Sequence, residues 1–459
     1  MPSRAKRLTR RRVLLGGAAA GAGGWGGLVG PWPVDPTAAP DHPAAREAIR
    51  AAAALGEGLR RGRGRSSELQ AGWAAQELDL EDWPLAGYGA RRGARSAGER
   101  DPLFVRCVLL RTGHAAVLLV CADLLLIHPE LARRVEERLA EAAGSGPPWP
   151  ILFTATHTHC GPGAWGRNWV EQSVTGPYDP EATLRLADAI AKCAAVAAAA
   201  AEPVEWGWLD LEAPDHLRNR TVSGGPVDAA LETLVLRRRS DGARALVTLF
   251  GAHATCLPAS VLEYATDYPG HLVRALEESG AVAFAAFASG VVGSQAPRMP
   301  DGSKPDPARL GRSLAERILP HLEALPLRTE ADLRAVAETD LPLPPLRVRL
   351  NASLRLAPPA SRLLHPGRSR LAGLALDEHL WLGLPFELSG MLSPALRAHA
   401  AARGLRLRLS CFCGDYVGYV IPDDLYEDHR LYEAQMNFLG PGGGSFVSRL
   451  VEALVEAGA

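Results

Sequence analysis

The chain of 459 residues predicts a mixed α/β fold: one large domain with mixed sheets flanked by helices and an active site at strand ends. Short apolar runs of strand length alternate with longer stretches of helical apolar spacing. No repeat or long linker divides the chain after residue 67, and the histidine-bearing motifs stand directly behind the apolar runs. With 47% hydrophobic and 22% charged residues, the chain can bury a sizeable core, which excludes wholesale disorder.

Residues 105–111 and 115–123 are apolar runs parted by Thr112-Gly113-His114, which predicts a hairpin. Leu131, Val135 and Leu139 then recur at helical spacing over 129–143. The run 150–156 is a short strand that ends in His157-Thr158-His159. Asp179-Pro180 supplies an N-cap and a first-turn proline for an alanine-rich helix toward Ala201. Residues 231–238 and 245–251 form a second hairpin around Ser240-Asp241-Gly242, and its second strand delivers His253. A buried strand over 282–288 follows, and Asp306-Pro307 opens another helix. A hairpin over 371–384, a helix reaching Arg403, a strand over 405–411 and a helix over 445–456 close the chain.

The net charge of −1, from 50 basic against 51 acidic side chains, gives no footprint of nucleic-acid binding. There are only three lysines, Lys6, Lys192 and Lys304, and no G-x-x-x-x-G-K-[ST] string, so lysine Schiff bases and phosphate-cradling loops have little to build on. Seven cysteines, an odd number over a long chain, form no disulfide framework. The first 12 residues hold six basic side chains and no acidic one, ahead of an uncharged glycine-diluted stretch, 13–30. With Arg10-Arg11-Arg12-Val13-Leu14, residues 1–33 read as a twin-arginine-type export signal, which implies an exported (periplasmic or secreted) protein and the twin-arginine machinery as partner. Residues 34–66 read as a Pro/Ala/Arg-rich linker and N-terminal segment, and 67–459 as one large domain, which the resemblance given below implies to be a catalytic domain. Removing residues 1–39, with six basic and one acidic side chain, leaves 44 basic against 50 acidic, a mildly acidic working form.

The strongest chemical signal is His157-Thr158-His159-Cys160-Gly161-Pro162-Gly163. Side chains two apart on extended backbone share a face. Two imidazoles there can hold a divalent cation, or one can bind while the other moves a proton. His253 stands behind a second strand, and alone it reads as a hydrogen-bonded core residue. Asp123 and Asp267 read as partners behind the site or as ordinary turn residues, Arg237-Arg238-Arg239 as a solvated hairpin end, and Cys411-x-Cys413 as strand packing. Residues 165–169 read as a substrate entrance or surface-loop packing.

These motifs, with Arg218-Asn219-Arg220, Gly251-Ala252-His253-Ala254-Thr255, Thr266-Asp267-Tyr268-Pro269-Gly270 and Phe284-Ala285-Ala286-Phe287-Ala288 in the same order, resemble the neutral/alkaline ceramidase family. The resemblance runs from about Leu69 to the C-terminus. It implies a Zn2+ site made by His157, His253, Glu387 (in Pro385-Phe386-Glu387) and Tyr419 (in Tyr416-Val417-Gly418-Tyr419), with His159 relaying protons and Arg220 binding the substrate carbonyl. It implies hydrolysis of a linear amide, an N-acyl amide or lipid, by metal-activated water, with contact to a membrane surface during substrate uptake. Ala296 stands where the family has a serine, so a smaller or more polar N-acyl amide is as consistent with the sequence as ceramide, and a non-catalytic zinc- or ligand-binding protein on the same scaffold stays open as an alternative. A C-terminal immunoglobulin-like domain of that family is not expected, because the chain ends soon after Tyr419. A further reading makes Cys160 or Cys256 the nucleophile of an esterase or cysteine-type hydrolase, beside His159 or His253.

Overall fold

The computed structural model describes residues 29–30, 38–144, 149–351 and 354–459. The stretch expected to be an export signal, 1–33, lies outside the described residues except for Val29–Gly30, which pairs antiparallel with Arg355–Leu356. Among the described residues no helix is long and apolar enough to cross a membrane.

Within the stretch expected as a linker and N-terminal segment, Pro43–Arg61 is instead a helix (α1), capped by His42 and opened by Pro43. Its buried face is Ala45, Ala48, Ala52, Leu55 and Leu59, a helical stripe whose small side chains look unlike a core face in composition. Their smallness has a use, because the C-terminal helix comes so near that a Cβ on Gly56 would stand 2.2 Å from Leu454 O.

Next come β1 (Gln70–Glu77), β2 (Phe104–Arg111), β3 (Ala116–Ala122), α2 (Pro129–Ala143) and β4 (Ile151–Ala155). Then follow α3 (Trp169–Thr175), α4 (Pro180–Ala199), β5 (Glu202–Glu212), β6 (Leu217–Asn219), β7 (Ala230–Arg238) and β8 (Arg244–Phe250). The middle of the chain holds α5 (Asp267–Glu278), β9 (Phe284–Ser289), β10 (Gln295–Pro297) and α6 (Pro307–Ile318). The last third holds β11 (Leu333–Pro342), β12 (Arg368–Leu376), β13 (His379–Gly383), β14 (Glu387–Leu388), α7 (Ser393–Ala401), β15 (Arg406–Ser410), β16 (Tyr419–Val420), α8 (Tyr432–Gln435) and α9 (Gly443–Gly458).

Eight strands form one sheet in the order β9-β8-β7-β5-β1-β2-β3-β4, and four form a second in the order β11-β12-β13-β15. Both sheets are mixed: β3/β4, β8/β9 and β13/β15 run parallel, while the expected hairpins β2/β3, β7/β8 and β12/β13 are antiparallel. Alternation of side chains divides each strand between two cores. Val108, Leu110, Val247 and Leu249 pack with Leu374 and Trp381 between the sheets. Cys107, Leu109 and Leu118 face Leu131, Val135, Leu186 and Ile190 of α2 and α4, and Leu246 and Phe250 face Leu272 and Leu314 of α5 and α6. Helices α1 and α9 pack together, with α1 lying on the second sheet, so the architecture is four layers, α–β–β–α. The edge strands β4 and β9 approach each other. This curl brings together the chain ends that follow β4, β8 and β13.

Candidate active site

The two histidines of the His-Thr-His turn converge by a route that period-two reasoning does not describe. β4 ends at Ala155, and His157 has φ +61, the left-handed region, so the pair is not presented on extended backbone. The turn sets the two rings edge to face, 4.9 Å apart. His157 is held in this conformation by its Nδ1, 2.6 Å from Leu125 O, and by the Phe412 ring stacked 4.2 Å away. His253 follows β8 in the same manner, with Nδ1 3.1 Å from Val292 O.

A backbone carbonyl only accepts, so both Nδ1 atoms carry the proton and both Nε2 atoms are bare. Those two Nε2 atoms face each other at 2.9 Å. Glu387 Oε2 lies 3.6 Å from His157 Nε2 and 3.5 Å from His253 Nε2, is buried, and has no hydrogen-bond partner among the described residues. The Tyr419 hydroxyl is 3.5 Å from His253 Nε2. Opposed lone pairs beside an orphaned carboxylate oxygen are costly in a dry interior, and a divalent cation relieves both. Two anchored imidazoles, a carboxylate and a phenol therefore fit a zinc-type ion by donor chemistry.

Electrostatics agree. Burial pushes His157 down to about 3 and His253 well below the ordinary imidazole range, with the nearby Arg220 charge acting in the same direction. Both rings are thus neutral and need lose no proton to take a cation. Burial raises Glu387 to about 7, against the opposing pull of Tyr419, Arg220 and Tyr416. Tyr416 OH donates to Glu387 Oε1 at 2.9 Å, which leaves Oε2 as the oxygen turned toward the imidazoles.

His159 differs from the other two. Its Nε2 is 3.4 Å from His157 Nε2, and the three rings bring one ligand atom each within 4.8 Å of one another. Yet its Nδ1 is buried with no hydrogen-bond partner among the described residues, so no described carbonyl fixes its tautomer. Tyr88 packs against the ring at 4.7 Å, and Gly87 lies so close that a Cβ there would be 2.8 Å from His159 Cγ and Nδ1. Arg220 completes the group: Nε donates to Glu433 Oε1 at 2.8 Å and Nη2 to Tyr419 OH at 3.1 Å.

Of the residues singled out in the sequence, the fold brings His157, His159, Arg220, His253, Glu387 and Tyr419 together. Others have local roles. Asp123 Oδ2 accepts from Phe104 N at 2.9 Å, and Asp267 accepts from the backbone of Cys256, Leu257 and Tyr268. Arg237, Arg238 and Arg239 pair with Glu205, Glu202 and Glu68. Trp165 is buried against His128, whereas Trp169 is 65% exposed. Gly163 does not face the site: a Cβ there would stand 2.2 Å from Thr175 O.

The thiol reading fails on burial. Cys160 and Cys256 are both buried, and desolvation raises both thiols, opposing the thiolate a nucleophile requires. Ser294 offers no substitute for a serine at Ala296, because its hydroxyl is fully buried and accepts from Gly390 N at 3.0 Å. Three contributors escaped the sequence reading: Phe412 behind His157, Tyr416 behind Glu387 and Glu433 behind Arg220. The first two stand within seven residues of Tyr419, but no spacing rule marks them.

In comparisons with known proteins, 196 positions are 28% identical to a neutral ceramidase of Mycobacterium tuberculosis (strain ATCC 25618 / H37Rv), covering 39% of this chain and 31% of that protein. The match spans about a third of that relative's length. No family model matches the chain. The crystal structure of neutral ceramidase from Pseudomonas aeruginosa superposes with a TM-score of 0.72 at 18% identity, over 84% of this chain and 74% of that one. A ceramidase complexed with C2 gives a TM-score of 0.70 over 84% and 75%, again at 18% identity. The chain has the neutral ceramidase fold. The mixed α/β reading and the resemblance drawn from the His-Thr-His motif agree with this fold.

Proposed function

We propose that the protein is an exported, zinc-dependent hydrolase of a linear N-acyl amide, ceramide-like or smaller. The observation that supports this best is the opposition of two bare Nε2 atoms at 2.9 Å beside the partnerless Glu387 Oε2. His157, His253, Glu387 and Tyr419 would hold the ion, which supplies Lewis acidity and lowers the pKa of water at neutral pH. Arg220 would bind the acyl oxygen with its unused N–H groups and stabilise charge developing there. His159, kept neutral by burial, is free to accept a proton at Nε2 during attack on the carbonyl and to return it to the departing nitrogen. The free choice of tautomer at its unpartnered Nδ1 suits that shuttling role. The curated relative and both solved structures are ceramidases, which favours a lipid amide and contact with a membrane surface during uptake. Export through the twin-arginine pathway rests on the N-terminal residues alone.

Metal analysis of purified protein and of His157→Ala, with turnover of a panel of fluorogenic N-acyl substrates, tests the reading. Zinc in the wild type, its loss in the variant and chelator-sensitive cleavage are expected; a wild type without bound metal refutes it. Stoichiometric metal with no turnover on any acyl amide or ester would establish instead the binding-protein reading that Ala296 leaves open.

A further inference from the structure

We propose that Glu433 is the positioning residue that aims Arg220, holding it so that the outer guanidinium edge stays free for the acyl ligand of the proposed function. Glu433 lies on the one-turn helix α8, is 4% exposed, and its carboxylate meets Arg220 at 2.8 Å. Arg220 enters from the end of β6, where its backbone N–H is tied to Ser294 O at 2.8 Å. A guanidinium has two usable edges: Nε with the near hydrogen of Nη2, and the two outer nitrogens. Glu433 takes Nε, and the Tyr419 hydroxyl takes Nη2 at 3.1 Å. Nε and Nη2 are thereby held by two acceptors on two different elements, which fixes the plane of the group. Nη1 makes no hydrogen bond to a described residue, so the outer edge keeps donors for a ligand, in the geometry that suits a carbonyl or a bidentate carboxylate.

The pairing also settles a charge problem. Arg220 is a fixed cation, and the Tyr419 hydroxyl it binds lies 3.5 Å from His253 Nε2. Unpaired, it would repel a divalent ion held there; the Glu433 carboxylate, itself nearly inaccessible, offsets that charge at contact distance. Nothing else described binds Glu433 through its side chain, so its carboxylate is committed to Arg220. Tyr432, the adjoining residue, packs its ring 5.7 Å from that of Tyr419, which ties α8 to the same site from its outer side.

Only the identity of the ligand depends on the acyl-amide reading, and the test separates the two. Phenylglyoxal labelling of Arg220, read by peptide mass mapping, is compared in wild type, Glu433→Leu and Glu433→Gln. Leucine removes the acceptor and is expected to speed labelling about 10-fold, while glutamine retains an oxygen for Nε and stays within about 3-fold of wild type. If Glu433→Leu does not fold, Glu433→Asp, which withdraws the oxygens by one methylene, takes its place with the same expected direction. Octanoate affinity of the metal-stripped protein, by calorimetry, should fall about 10-fold in Glu433→Leu, and the double variant with Arg220→Lys should bind no more weakly than Arg220→Lys alone. Equal labelling in all variants, or losses that multiply in the double variant, overturns the proposal. Faster labelling in Glu433→Leu with no octanoate binding by wild type upholds the positioning of Arg220 and refutes the acyl ligand.

Discussion

Gly87→Ala isolates the role of His159. Gly87 has φ +110, a conformation that side chains of L-residues avoid, and its N–H is tied to Val174 O at 3.0 Å, so the loop cannot simply rotate away. An added Cβ would lie 2.8 Å from His159 Cγ and Nδ1 and 2.9 Å from its Cα. Relief requires the ring or the loop to move by nearly 1 Å, given a carbon contact distance of about 3.5–4 Å. Backbone strain and crowding together cost on the order of 3 kcal/mol. A displacement of that size at the residue proposed to carry the proton should lower turnover about 100-fold. His157 and His253 hang on Leu125 O and Val292 O, neither of which touches Gly87, so bound metal should be retained. The measurements are urea denaturation, metal content and kcat/KM on a fluorogenic N-acyl amide. Wild-type stability and turnover in the variant would refute the steric argument. Loss of metal in step with activity would show that His159 is a ligand rather than a proton carrier.

Three further outcomes are expected. Tyr416→Phe removes the 2.9 Å donor to Glu387 Oε1 and should weaken metal binding about 10-fold to 100-fold, measured by competition with a chromogenic chelator. Asp123→Asn should flatten the pH dependence of stability: burial raises Asp123 from 3.8 to about 6, so the folded state holds the extra proton. The native contribution is then complete below about pH 4 and lost as pH rises through about 6, on the order of 2 kcal/mol, read as the difference in urea midpoint between pH 4.5 and 7. Iodoacetamide should leave native activity intact and modify the seven buried cysteines only after denaturation; rapid inactivation by one modified thiol would restore the cysteine-nucleophile reading.

The elements readable from sequence were those with local grammar. Helix α2 spans the residues its apolar spacing marks, and α4 and α6 begin at the prolines behind their capping aspartates. Helix α1 was misread because its buried face is mostly alanine, which registers as a core stripe only when a partner helix is close enough to use it. Strand β5 went unread because Pro203 and four acidic residues interrupt its apolar alternation, although Trp206 and Trp208 are buried.

The division is the same at the site. The sequence by itself determined the chemical inventory: the His-Thr-His turn, a third histidine behind a strand, and a family pattern that picks out Glu387, Tyr419 and Arg220. Local order suffices for this, because a strand that ends in a turn presents whatever residues follow it. Only the tertiary structure decided the division of labour among the imidazoles. His157 and His253 are oriented by carbonyls 32 and 39 residues away, whereas His159 has none among the described residues. The partners Glu433 and Tyr416 likewise become visible only once the sheets pack, since a hydrogen bond across a fold leaves no periodicity in the chain.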